Sequence, residues 1–151
     1  LEGLEGFDAV TIAIDSLNYL ETEKQVRQTF SEVYNALNDG GHFFFDVHSI
    51  YKVDHIYMDS PFVLDDEDIA YIWHTEAGEY PHSVVHDITF FVRQADHFER
   101  FEEMHEQRTF PISDYQKWLE NAGFTIQSVT ADFSDEDPDD ESQRIFFHAV
   151  K

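Results

Sequence analysis

Two short polar segments, each directly following an apolar run, carry the residue types that could do chemistry. Asp15-Ser16-Leu17-Asn18-Tyr19-Leu20 follows Phe7–Ile14, and Asp46-Val47-His48-Ser49 follows His42-Phe43-Phe44-Phe45. A carboxylate, a hydroxyl and an amide at a strand end can hold a polar ligand by hydrogen bonds. Equally, Asp15 and Ser16 can cap a turn, and Asp46 can be a strand-end carboxylate satisfied within the fold. His48 changes charge near neutral pH and suits proton transfer, with structural hydrogen bonding as its other reading. Tyr19 and Tyr51 could line a pocket, Trp73 could offer a face to a cationic group, and Arg108 could pair with a carboxylate. Each of these four also has a packing or ion-pair reading. The nine histidines raise a metal alternative. His82 and His86 share one face of a predicted strand, roughly 13 Å apart, and His105 with Glu103 could approach from the neighbouring strand to complete a His/Glu site.

The elements that must position these groups follow from periodicity. Phe7–Ile14 is nearly continuous in apolar residues and rich in β-branched ones, which predicts a strand buried on both faces of a parallel sheet. Thr22 with Gln25 makes a capping-box pair, and Val26, Phe30, Val33, Tyr34 and Leu37 form one stripe, so a helix is predicted over 22–37. Asn38-Asp39-Gly40-Gly41 is expected to end it with a left-handed glycine. A second buried strand over 42–47 completes a βαβ unit. Open parallel sheets place ligands beyond the carboxyl ends of their strands, which is where both polar segments fall.

The middle of the chain alternates polar and apolar residues over 69–75, 82–93 and 98–110, the pattern of an antiparallel meander. Ser113 with Gln116 is a second capping pair, Tyr115, Trp118, Leu119 and Ala122 give a helical stripe, and Gly123 stops it. Strands over 124–131 and 144–150 close the chain as an antiparallel hairpin. The loop between them, 132–141, carries seven acidic residues and is expected to be solvated and to bind no calcium, lacking the glycine and final glutamate of an EF-hand loop. The fold class is α/β.

Composition bounds the function. With 32 acidic and 9 basic residues the net charge is −23, and such a surface repels nucleic-acid phosphates. A preference for cationic ligands is the sharper reading of the same charge, and solubility the plainer one. No apolar run approaches the ~20 residues of a membrane helix. The chain shows no signal-peptide pattern, so a cytoplasmic location is expected. Zero cysteines exclude disulfides and thiolate metal sites.

FDAVTIAIDSLNYL, LNDGGHFFFDVHS, RTFPISDYQKWLENAGF and SQRIFFHAVK, in that order, resemble the second half of class I S-adenosylmethionine-dependent methyltransferases, in particular an uncharacterised bacterial group of small-molecule type. The resemblance covers nearly the whole chain. It implies a Rossmann-like sheet entered at its fourth strand, with 62–110 as an inserted β-meander and residues 1–151 as the C-terminal portion of one domain. It implies S-adenosylmethionine as cofactor and a small-molecule methyl acceptor, with no nucleic acid and no membrane. By the family's pattern, Asp15, Ser16, Leu17 and Asn18 border the methionine part of the cofactor. His48, Tyr51 and part of the meander shape the acceptor pocket, Tyr19, Trp73 and Arg108 are candidates for binding the acceptor, and His48 is the candidate to take its proton. No metal is implied. The family's glycine-rich loop and ribose-binding acidic residue have no counterpart here, because Gly40-Gly41 precede a strand rather than follow one. The N-terminal cofactor-binding half is therefore expected to lie outside this chain, which alone should bind the cofactor weakly or not at all. A non-catalytic methyltransferase-like domain of a larger assembly and a His/Glu metal-binding β-module remain the alternatives.

Overall fold

The computed structural model describes residues 3–151. A four-stranded sheet is built from β1 (Phe7–Ile12), β2 (Leu37–His48), β7 (Thr125–Ala131) and β8 (Arg144–Val150) in the order β1-β2-β8-β7. β1 and β2 run parallel, while β8 is antiparallel to both β2 and β7. The expected βαβ unit and terminal hairpin are thus both present. Helices α1 (Glu23–Ala36) and α2 (Ile112–Ala122) cover one face of the sheet. Val26, Phe30 and Val33 of α1 and Tyr115, Trp118 and Leu119 of α2 bury against Phe43, Phe45, Phe147 and Ala149. Stacked rings of Phe45 and Phe147, 4.6 Å apart, sit at the centre of this core.

Sequence and structure part company in three places. β1 is partly buried on one side: Val10 and Ile12 pack against the core, and among the described residues the strand forms the sheet edge with Phe7 exposed. Gly40 does not cap α1. The helix passes through an extended Leu37 (φ −79°, ψ 147°) straight into β2. Gly40 and Gly41 instead serve a bulge, where pairing with β1 jumps from Phe7–Leu37 to Ala9–His42. A Cβ on Gly41 would stand 2.8 Å from the Asn38 carbonyl oxygen, so the close approach requires glycine. α2 begins one residue before Ser113, with Pro111 at the N-cap and no side-chain cap. The Thr22–Gln25 capping box is formed as expected, as is the left-handed Gly123 (φ 106°) that ends α2.

A second sheet, order β3-β4-β5-β6, is the meander: β3 (Phe62–Asp65), β4 (Ile69–Ala77), β5 (Ser83–Arg93) and β6 (Phe98–Arg108), antiparallel throughout. A short helical segment over Lys52–Asp59 connects the two sheets. Its Val53 and Tyr57 form a small second core with Val84, against which Phe62 and Trp73 pack. The acidic loop is tied by its own bonds, the Asp132 carboxylate accepting from the Gln143 and Arg144 amides. Among the described residues no helix is long and apolar enough to cross a membrane.

Candidate functional site

Chain direction places the polar ends of β1 and β2 side by side, and β8, antiparallel to β2, starts there too, pairing Arg144 with His48. Beyond β1 the backbone turns through two left-handed residues, Ile14 (φ 59°) and Asp15 (φ 48°). That conformation strains a β-branched residue, and strain of this kind collects at functional turns. The Asp46 carboxylate holds the turn, accepting from the Ile14 amide at 2.8 Å and the Asp15 amide at 2.9 Å. Asp46 is thus a strand-end carboxylate satisfied within the fold, and what it satisfies is the turn that presents Asp15.

The Asp15 carboxylate is surrounded by donors. Arg144 Nη2 reaches one oxygen at 2.8 Å and Gln107 Nε2 the other at 2.9 Å, while His48 Nε2 stands 3.4 Å away. Burial would raise Asp15, but the bonds from His48, Gln107 and Arg144 outweigh it and hold the group well below the usual carboxylate range. Arg144 also donates to Asp46, so one guanidinium ties both carboxylates. His48 is 3% exposed, and its Nε2 also lies 3.0 Å from the Tyr57 hydroxyl. Its Nδ1 meets no hydrogen-bond partner. Burial, reinforced by the charges of Lys52 and Arg144 and opposed by Asp15, pushes His48 toward its neutral form.

Gln107 is aimed by a chain of bonds with one possible direction. The Trp73 indole N–H donates to His86 Nδ1 at 3.1 Å. His86 must then carry its proton on Nε2, which lies 3.1 Å from Gln107 Oε1. The Gln107 amide nitrogen is left to face Asp15. Burial, opposed by the bond to Gln107, pushes His86 down to about 4, so the ring is neutral at ordinary pH.

These groups wall a cavity of about 340 Å³ between the strand ends and the meander, lined by Asp15, Tyr19, His48, Lys52, Tyr57, Trp73, His86, Ile88, His105, Gln107 and Arg144. Of the residues singled out in the sequence, Asp15, Tyr19, His48, Trp73, His86 and His105 therefore meet. Ser16 lies beside them, its hydroxyl donating to the Ala13 carbonyl. Leu17 is in the main core, and Asn18, 1% exposed, spends its amide on the Arg108 carbonyl and the His48 amide. Tyr51 lines a neighbouring cavity of about 480 Å³ with His48, Phe110 and Ser113. Arg108 is turned away, donating to the Glu21 and Pro81 carbonyls and lying over Tyr80 and Phe110. The His/Glu metal cluster does not assemble: His82, just before β5, turns to Asp54, and His86 is spent on Trp73 and Gln107. Among the described residues no group of three or more His, Cys, Asp or Glu could hold a metal ion.

Sequence reasoning missed Arg144, Gln107 and Tyr57. Arg144 was within reach of it, because a hairpin strand antiparallel to β2 must begin at β2's carboxyl end.

No protein-family model matches the chain. It is 53% identical over its whole length to the Geobacillus sp. (strain WCH70) protein named "Putative methyltransferase", and 48% to "Putative methyltransferase YqeM" of Bacillus subtilis (strain 168), spanning 62% of each. A crystal structure of an S-adenosylmethionine-dependent methyltransferase from Clostridium acetobutylicum superposes with a TM-score of 0.92 at 29% identity, over 99% of this chain and 60% of that one. The chain therefore has the fold of the S-adenosylmethionine-dependent methyltransferases and matches about three fifths of the length of its relatives, 62% of each curated one and 60% of the solved structure.

Proposed function

We propose that the protein containing this chain transfers the methyl group of S-adenosylmethionine to a small-molecule acceptor, and that the two meet in the cavity at Asp15. The observation that carries this reading is the strained Ile14–Asp15 turn, clamped by Asp46, that sets a charged carboxylate into a cavity at the carboxyl ends of parallel strands. The likeness to proteins named as methyltransferases gives the reaction class. In this reading residues 1–151 are one portion of a single domain, 62–110 is its insertion, and the adenosine contacts belong to the part of the relatives that this chain does not span.

The residues present fit the methionine end of the cofactor in kind. Asp15 supplies an anion for its ammonium group, and Ser16 flanks it. Leu17 and Asn18 anchor the segment from beneath. When bound, S-adenosylmethionine supplies a sulfonium methyl open to in-line attack, and the protein's tasks are to orient the partners and keep water out. Tyr19 and Trp73 form acceptor-side walls, while His48 and Gln107 keep Asp15 fixed. Tyr51 and Arg108 act at one remove, through the neighbouring cavity and the backbone ties. A net charge of −23 favours neutral or cationic small acceptors over nucleic acid.

The test is transfer of a labelled methyl group by the full-length protein to a panel of small amines and alcohols. Label should appear in at least one acceptor as S-adenosylhomocysteine is released. Cofactor binding without transfer to any of them would favour a non-catalytic methyltransferase-like domain.

A further inference from the structure

A second hydrogen-bonded chain reaches the same cavity from its exposed side. Tyr19 lies in the 3₁₀ turn Ser16–Tyr19, and its hydroxyl is 3.1 Å from Nδ1 of His105 on β6, the rings meeting edge-on at 5.9 Å. The other nitrogen, His105 Nε2, is 3.1 Å from the Glu103 carboxylate. An ionised carboxylate only accepts, so Nε2 carries the proton. Nδ1 of the neutral ring is then an acceptor, and Tyr19 must donate to it. Glu103 thereby sets the direction of both bonds.

Tyr19 and His105 both line the cavity with Asp15. Burial, with the charges of Asp15 and Glu103, raises the Tyr19 phenol. Directly across from His105 on β5 stands His86, held neutral by burial, and the other titratable groups on the same cavity are Asp15, His48, Lys52, Tyr57 and Arg144. His48, by contrast, lies deeper, with its Nε2 already shared between Asp15 and Tyr57.

We propose that Tyr19, His105 and Glu103 are the route by which the methyl acceptor loses its proton, a role that rests on the methyl-transfer reading above. As the acceptor's lone pair forms the new bond to carbon, the C–S bond breaks with its electron pair left on sulfur. The acceptor's proton passes to the Tyr19 oxygen while the Tyr19 hydroxyl proton passes to His105 Nδ1. The resulting imidazolium is held by Glu103, and a ring one-third exposed can release the proton to water.

Two measurements on the full-length protein test this. Nitrogen-15 NMR of the histidine rings should show His105 protonated on Nε2 and bare on Nδ1, with Glu103→Gln erasing that preference. A proton on Nδ1 of the neutral ring would overturn the route. In the methyl-transfer assay, Tyr19→Phe and His105→Asn should each lower kcat on the order of 100-fold. S-adenosylhomocysteine affinity should stay within about twofold of wild type in both variants, as for groups acting only in the transition state. Unchanged kcat in both variants would also overturn the route. A wild-type protein that neither binds S-adenosylhomocysteine nor turns over would overturn methyl transfer itself, with the NMR result still deciding how the ring is wired.

Discussion

Arg144→Met is expected to cost up to about 3 kcal/mol of folding stability, the lower end of the scale seen when one partner of a buried ion pair is removed, because Arg144 and Asp15 are only part-buried. The substitution keeps most of the side-chain length but leaves Asp15 and Asp46 facing each other without the cation that ties them. Asp46 would also hold the Ile14–Asp15 turn less firmly, since its carboxylate is fixed from the far side by the same guanidinium. Denaturant unfolding measures the loss, and adding Asp46→Asn should return part of it as a coupling between neighbours. A loss below about 1 kcal/mol would place the pair in the class of exposed ion pairs. The sign with pH follows from Asp15, whose folded value lies below its ordinary 3.8. Its contribution is present above that value and is lost as pH falls further into the acid range.

The second large effect belongs to His86, lowered from 6.5 in the unfolded chain to about 4 in the fold. Below pH 6.5 the unfolded chain takes up a proton that the folded ring refuses. Stability therefore falls as the pH drops toward 4 and, for this group, stops falling below it. Full expression of that difference is about 3 kcal/mol. His48 is shifted in the same direction by burial and adds to the trend. Unfolding free energies of wild type and His86→Gln, each measured at pH 7 and pH 4.5, isolate the His86 share. The wild type should lose clearly more than the variant, and parallel losses would mean that His86 accepts its proton within the fold.

Much of this architecture is written locally. The capping box at Thr22, the stripes of both helices and the alternation in the meander each need only a few neighbouring residues to be legible. The failures come from context that lies far along the chain. Phe7–Ile14 has the composition of a doubly buried strand, and in a chain that spans 62% of its relatives' length its outer edge stands open. Gly40 and Gly41 read as a helix stop because glycine favours both a cap and a bulge, and only the pairing of β2 with β1 and the Lys151 carbonyl separates the two.

The site shows the same division. Asp15, Tyr19 and His48 follow apolar runs, at the strand ends where parallel sheets keep their ligands, and the fold sets all three on one cavity. Arg144 meets Asp15 across 129 positions of sequence, and Gln107 meets it across 92. No spacing reveals such pairs before the register is known. Asn18 is a polar residue at a strand end whose amide is spent inside the fold, where it joins three elements.

Calorimetric titration of S-adenosylhomocysteine into the full-length protein, wild type beside Asp15→Asn, bears most directly on the cavity as a methyl-transfer site. The substitution keeps the side chain's shape and removes the charge that would meet the cofactor's ammonium group. Wild type should bind in the micromolar range, about −8 kcal/mol, and the variant about tenfold more weakly, a difference of about 1.4 kcal/mol. Thermal melts of the two proteins without ligand will show that the comparison is between folded states. No heat and no thermal shift with the wild type would contradict cofactor binding, and equal affinities would contradict the placement of its methionine end at Asp15.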